Sequence, residues 1–330
     1  FSSIKQAAYI GTIALCALLV IKGEMLVGFL VAASGYVMKI MDHVSQINNL
    51  LFQMQQQIVA GDKIMRFMDC KTKIKDGKKN AKDIDKPDIE FENVTLELGG
   101  KKVLDNINLS IPYGKKVGIV GATGSGKSIL LKSIVRINDV NDGQIKMNGT
   151  NVKEYKTAEL REKISYVFQD AFLFSNTIDS NIAFANPDVD ESRVRECAKR
   201  AMADDFINEL SDGYQTIVGE KGFGLSGGQK QRVSIARAML KDAPVFVFDD
   251  STSALDAETE RKLLENLRTY YKERTILIAA HKMSSVVDCD EIIYLSNGKI
   301  VERGTFDELM ELDGHFAGVY KTQMAKQTVA

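Results

Sequence analysis

Residues 121–128 read GATGSGKS, set between the apolar run KVGIV (116–120) and the helix-like SILLKSIV (128–135). A glycine loop between a buried strand and a helix commits the chain to a layered α/β arrangement. The spacing is that of G-x-x-x-x-G-K-[ST]. Gly121, Gly124 and Gly126 let the backbone curl, so that N–H groups from Gly121, Ala122, Thr123, Ser125 and Ile129 converge on phosphate oxygens. The helix start adds its positive dipole end. Lys127 is expected to reach the β- and γ-phosphates and the Ser128 hydroxyl to ligate Mg²⁺. A glycine-rich turn with an accidental lysine would not need both flanking elements.

The companion of this loop is VFVF (245–248), which ends in Asp249. A carboxylate there stands at the C-terminal edge of a buried strand, the edge at which open α/β sheets bind ligands. Asp249 is expected to hold Mg²⁺ through water; the plainer alternative is an aspartate capping a strand. ATP and Mg²⁺ are therefore the expected cofactor pair. Around these motifs the pattern predicts an antiparallel pair at 89–98 and 103–111 and a strand at 116–120. It predicts helices near 126, at 191–203, 226–240 and 257–271, and buried strands at 244–248 and 275–280. Asn297-Gly298 suits a type I′ hairpin turn, and two short helices close the chain. The fold class is α/β with a mostly parallel central sheet.

The first 70 residues have another texture. AAYIGTIALCALLVI (7–21) and MLVGFLVAASGYVMKIM (25–41) are nearly charge-free and separated by IKGE (21–24). Each approaches the ~20 apolar residues of a spanning helix once its flanks are added, so a membrane hairpin is expected over a buried soluble one. A signal peptide fits poorly, because a second apolar run follows at once. Two helices enclose no pathway, so the chain reads as the C-terminal part of a larger membrane protein. Val44, Ile47, Leu50, Leu51, Met54, Ile58 and Met65 continue the second helix at three- and four-residue steps. Residues 71–88 carry seven lysines and four aspartates and read as a linker. The expected domains are 1–70, a helical hairpin with its cytoplasmic extension; 71–87, a charged linker; and 88–330, a nucleotide-binding domain.

Composition excludes several classes. With 43 Lys+Arg against 44 Asp+Glu and 45% hydrophobic residues, the chain is neither disordered nor a basic nucleic-acid arm. Its four cysteines lack CxxC spacing, so neither a disulfide framework nor a zinc site is encoded.

LSGGQ stands at 225–229 and opens a helix with KQRVSIARAML. Together with the two phosphate-site motifs it resembles the signature of ATP-binding cassette (ABC) proteins. Gln169 in YVFQDAFLF matches the family's Q-loop, SALD (253–256) its D-loop and His281 its switch histidine. TIVGEKG (216–222) looks like the loop that touches coupling helices in exporters. The resemblance covers roughly 88–328, and the hairpin resembles the last two spanning helices of an exporter half-transporter of the multidrug, lipid or peptide type. It implies a P-loop NTPase domain with an antiparallel β subdomain and a helical signature subdomain, cytoplasmic, on a multi-pass protein of the cell membrane.

In that family two nucleotide domains pack head-to-tail. Ser226, Gly227, Gly228 and Gln229 would thus bind the ATP of a partner's phosphate loop. Gln169 would sense Mg²⁺ and water, and His281 would hydrogen-bond the γ-phosphate. Three positions depart from the pattern. Leu98 stands where a tyrosine usually stacks on adenine, which leaves only apolar base contact. Ile129 replaces a frequent threonine but keeps its N–H. Asp250 occupies the general-base position, where glutamate is usual. The leading reading is ATP-driven export by a dimer, heterodimer favoured, moving a small molecule, lipid or peptide. The alternatives are a regulatory half with slow hydrolysis and, less favoured, a soluble cassette ATPase acting on DNA or ribosomes. Membrane lipid is an expected partner and nucleic acid is not.

Overall fold

The computed structural model describes residues 2–70, 72 and 74–329, in two compact units, Phe1–Lys73 and Ile74–Ala330. The first is a hairpin of α1 (Ser2–Ile21) and α2 (Val27–Met68). Gly23 takes a positive φ of 76° in the break between them, as a glycine just past a helix end does. Lys5 Nζ faces Asp42 Oδ1 at 3.9 Å across the pair. Among the described residues of the hairpin only Cys16 is buried, while Ile10, Leu15, Leu18, Phe29, Val31 and Tyr36 point outward. So large an apolar surface calls for lipid or further helices around it. By length and composition α2 suffices to cross a membrane; the apolar part of α1, Lys5–Ile21, falls short of the ~20 residues a spanning helix needs.

The second unit carries two sheets. β1 (Ile89–Leu98) and β2 (Lys101–Ile111) form a hairpin about Gly99-Gly100. β3 (Lys116–Val120) leads into the glycine loop and α3 (Lys127–Ile134), followed by β4 (Asp142–Met147) and β5 (Thr150–Asn151). The order β2-β1-β4-β5 makes an antiparallel four-stranded sheet. After α4 (Thr157–Glu162) and β6 (Ile164–Val167) comes a helical stretch of α5 (Ile178–Ile182), α6 (Glu191–Arg200), α7 (Asp204–Glu209) and α8 (Gly227–Lys241). β7 (Val245–Asp249), α9 (Ala257–Tyr270), β8 (Thr275–Ala279), β9 (Glu291–Ser296), β10 (Lys299–Gly304), α10 (Phe306–Glu311) and α11 (His315–Val329) complete the chain. The main sheet has the order β10-β9-β3-β8-β7-β6, parallel except for β10.

Two cores lie on the two faces of that sheet, and strand alternation assigns each residue to one of them. Val245 and Val247 of β7 join the core shared with the antiparallel sheet and α3. Phe246 and Phe248 join the core built with the signature-bearing helical subdomain. Asn297 and Gly298 turn the β9–β10 hairpin with φ of 48° and 76°, the two positive values a type I′ turn needs. The single helix expected at 191–203 ends at Arg200, because Met202 adopts a φ of 59° before α7 begins.

The segment read from its charge as a linker differs from a free one over residues 75–82. Lys79 N–H donates to Glu154 O (2.8 Å) and Lys156 N–H to Lys79 O (2.9 Å). Arg136 Nη2 donates to Lys75 O at 2.9 Å, and Ala81 is fully buried. Asp76 Oδ1 also accepts from Thr157 N–H at 2.6 Å, so backbone and side chain both tie the segment to the domain, which charge composition alone does not report.

Candidate nucleotide site

The parallel register of β3, β8 and β7 carries the glycine loop, His281 and the Asp249–Asp250 pair to one edge of the sheet, and β6 brings Gln169 to the same edge. The loop is built for close approach. Gly121 has a φ of 149°, and a Cβ there would lie 2.1 Å from Leu295 O. Gly126 has a φ of 109°, and its Cβ would lie 2.7 Å from Val103 O. A side chain at Gly121 would push the loop off β9, and one at Gly126 would push it off β2.

Lys127 is buried and curls into the loop, donating to Gly121 O (2.8 Å) and Ala122 O (3.1 Å). Burial lowers its pKa, opposed by the charges of Asp250 and Asp249. Ser128 Oγ donates to Asp249 Oδ1 at 2.6 Å. Sequence reading missed the next contact, in which Tyr166 OH donates to Asp249 Oδ2 at 2.9 Å. Burial and Asp249 together raise the pKa of that tyrosine, so it stays a hydrogen-bond donor. Asp249, fully buried, is therefore aimed at the loop by two hydroxyls. The period-2 pattern of ISYV (164–167) was the available signal for Tyr166.

Asp250 has a φ of 48°, a conformation in which aspartate is several-fold enriched. Gln169 Nε2 approaches its Oδ2 at 3.4 Å. Burial raises the pKa of this carboxylate, opposed by the charges of His281 and Lys127. Leu98 is exposed at the end of β1, opposite Lys101.

The signature residues form a local unit. Ser226 Oγ accepts from Gln229 N–H (3.3 Å) and Gln229 Oε1 from Ser226 N–H (2.9 Å), a reciprocal capping box at the start of α8. A Cβ on Gly228 would stand 2.9 Å from Ala254 O, and Gln231 Oε1 accepts from Ala254 N–H at 3.2 Å. SALD is thus held against the signature helix. Among the described residues no hydrogen bond joins 226–229 to the glycine loop of the same chain.

The donor set fits ATP with Mg²⁺. One lysine lies inside a curled run of N–H groups, and a hydroxyl and a carboxylate meet at its mouth, the oxygen ligands a hard divalent cation takes. Residues 104–253 match the family model described as ABC transporter. Over 326 residues the chain is 37% identical to YgaD of Bacillus subtilis, named for multidrug export as an ATP-binding/permease protein, covering 98% of this chain and 56% of that one. It is 40% identical over 290 residues to the ATP-dependent lipid A-core flippase of Salmonella typhimurium, covering 87% and 50%. A solved bacterial Atm1-family ABC exporter with ATP bound superposes with a TM-score of 0.78 at 31% identity, covering 98% of this chain and 57% of that one. The chain spans about half the length of the curated relatives it matches. By motif geometry, fold and these likenesses together, it belongs to the ABC transporter family.

Proposed function

We propose that this chain binds Mg-ATP and hydrolyses it slowly at its own site, as one half of a dimeric exporter embedded in a membrane. The observation that carries the binding reading is the 2.6 Å contact between Ser128 and Asp249 at the mouth of a loop whose one cation is Lys127. Lys127 binds the β- and γ-phosphates, and Ser128 and Asp249 hold the ion. When bound, Mg²⁺ neutralises charge on the transferring phosphoryl group. Asp250 takes the proton of the attacking water on a carboxylate oxygen, Gln169 orients that water, and His281 donates a hydrogen bond to the γ-phosphate. Ser226, Gly227 and Gly228 close on the ATP of the partner, and Gln229 keeps Ser226 in its cap geometry. Leu98 gives the base an apolar contact only.

The shorter Asp250 supports a heterodimer. Asp is one methylene shorter than Glu, which withdraws its carboxylate by roughly 1–1.5 Å. A general base contributes ~10²–10⁴-fold in rate and must come within hydrogen-bond reach. Here the carboxylate instead faces the Gln169 amide of its own chain. A partner supplying a glutamate would make the second site fast, and the intact LSGGQ of this chain would complete it. The same observation favours a second reading, a regulatory half that binds ATP without productive turnover. Export from the cytoplasmic side, through a membrane part to which α1 and α2 contribute, rests on the outward apolar surface of the hairpin and on the likeness to export proteins. The cargo class remains a small molecule, lipid or peptide.

Lys127→Ala tests the binding site. Charge-assisted contacts are worth ~1.5–3 kcal/mol each, so Mg-ATP affinity should fall at least ~10-fold in a titration. Unchanged affinity would remove the phosphate-loop assignment.

A further inference from the structure

The segment that follows β8 is fastened on every side except at its imidazole. On one side Glu260, buried in α9, accepts from Ser285 Oγ and Thr252 Oγ1 at 2.7 Å each and pairs with Lys282 Nζ at 3.1 Å. On the other side stands Gln323, in the last helix. Its Nε2 donates to His281 O at 2.9 Å and its Oε1 accepts from Met283 N–H at 2.9 Å. One amide thus closes over both backbone groups that flank Lys282. Among the described residues nothing hydrogen-bonds the His281 ring.

Helix α11 is itself rigidly seated, which is what a positioning element requires. Phe316 and Ala317 are fully buried, and Glu302 accepts the Phe316 N–H at 2.9 Å. Phe306, Phe316 and Tyr320 pack ring against ring within 6.2 Å. Gln323 lies about one turn beyond Tyr320 and is only half-buried, so the surrounding core does not depend on it.

We infer that Gln323 is a positioning residue for ATP hydrolysis. The C-terminal helix uses its amide to fix the backbone on either side of the switch segment, and so the direction in which His281 points. The inference rests on the reading that His281 meets the γ-phosphate. It adds that the last helix of the chain sets the geometry of a site whose other residues lie before residue 282. Loss of the amide frees Met283 and lets the imidazole wander, and misplacement of a reacting group by ~1 Å costs up to ~10²-fold in rate.

The test uses the whole chain, with Asp250→Glu as the background for turnover. Gln323→Ala, a favourable helix substitution, should speed hydrogen exchange of the Met283 amide and lower kcat about tenfold, with KM for ATP and Tm unchanged. Gln323→Glu keeps the acceptor for Met283 but sets a carboxylate against His281 O. It should therefore retain Met283 protection while still lowering kcat. Adding Gln323→Ala to His281→Ala should lower turnover no further, since both act through one group. Unaltered Met283 exchange in Gln323→Ala, or a further loss of equal size in the His281→Ala background, would overturn the inference. If Mg-ATP binds but no background hydrolyses it, the hydrolytic reading fails and the catalytic part of this one fails with it. Hydrolysis that persists with kcat untouched by Gln323→Ala fails this inference alone.

Discussion

At the scale of single residues the site is a contest between buried charges. Asp249 and Asp250 are adjacent and both buried, and the charges of both act on Lys127. Burial raises the Asp250 pKa, with the neighbouring Asp249 charge adding to it and His281 and Lys127 opposing. A carboxyl whose folded pKa is raised favours the folded state when protonated. Above the folded value its ionised form costs stability, and below the unfolded value that cost is gone. Asp250→Asn should therefore raise the melting temperature of the ligand-free protein at pH 7, on the order of 2 °C. The gain should shrink to nothing as pH falls through the carboxylate range. Melting curves across pH check this; a gain that grows on acidification would mean the shift has the opposite sign.

At the scale of elements, the reading from sequence succeeded where several local signals agreed. KVGIV, the glycine loop and the following helix are each unambiguous, and together they fixed β3 and α3 to within a residue. β4 was missed because only Ile145 and Met147 of DGQIKM are apolar and buried, too little for a periodic signal. Side-chain partners distant in sequence were also beyond reach. Tyr166 meets Asp249 across 83 positions and Gln323 meets Met283 across 40, pairings that only the sheet order and the seating of α11 create. LSGGQ was legible as a helix start, yet its tie to SALD through Ala254 was not. That tie makes α8 and the D-loop one body. Ser226→Arg should leave ATP binding to the chain's own loop intact and abolish ATP-dependent dimerisation of a hydrolysis-blocked form. Size-exclusion chromatography with Mg-ATP reads this directly. Dimers forming as in the parent would contradict a role for the signature across the interface.

At the scale of the whole molecule, the chain joins a nucleotide domain with two fully built cores to a hairpin that buries almost nothing. In the proposed reading the nucleotide domain supplies the phosphate and Mg²⁺ ligands for its own ATP and the signature for a partner's, with Asp250 as a short general base. On the proposed reading, that asymmetry gives one weak and one strong site per dimer. The central claim is that Asp250 limits hydrolysis at this chain's own site, and the most direct measurement is steady-state ATP turnover by the purified, partnerless chain with and without Asp250→Glu. Restoring the missing methylene should raise turnover at least tenfold, within the ~10²–10⁴-fold contribution of a general base, with Mg-ATP affinity unchanged. Fast hydrolysis by the unsubstituted chain, with no gain on Asp250→Glu, would contradict the account.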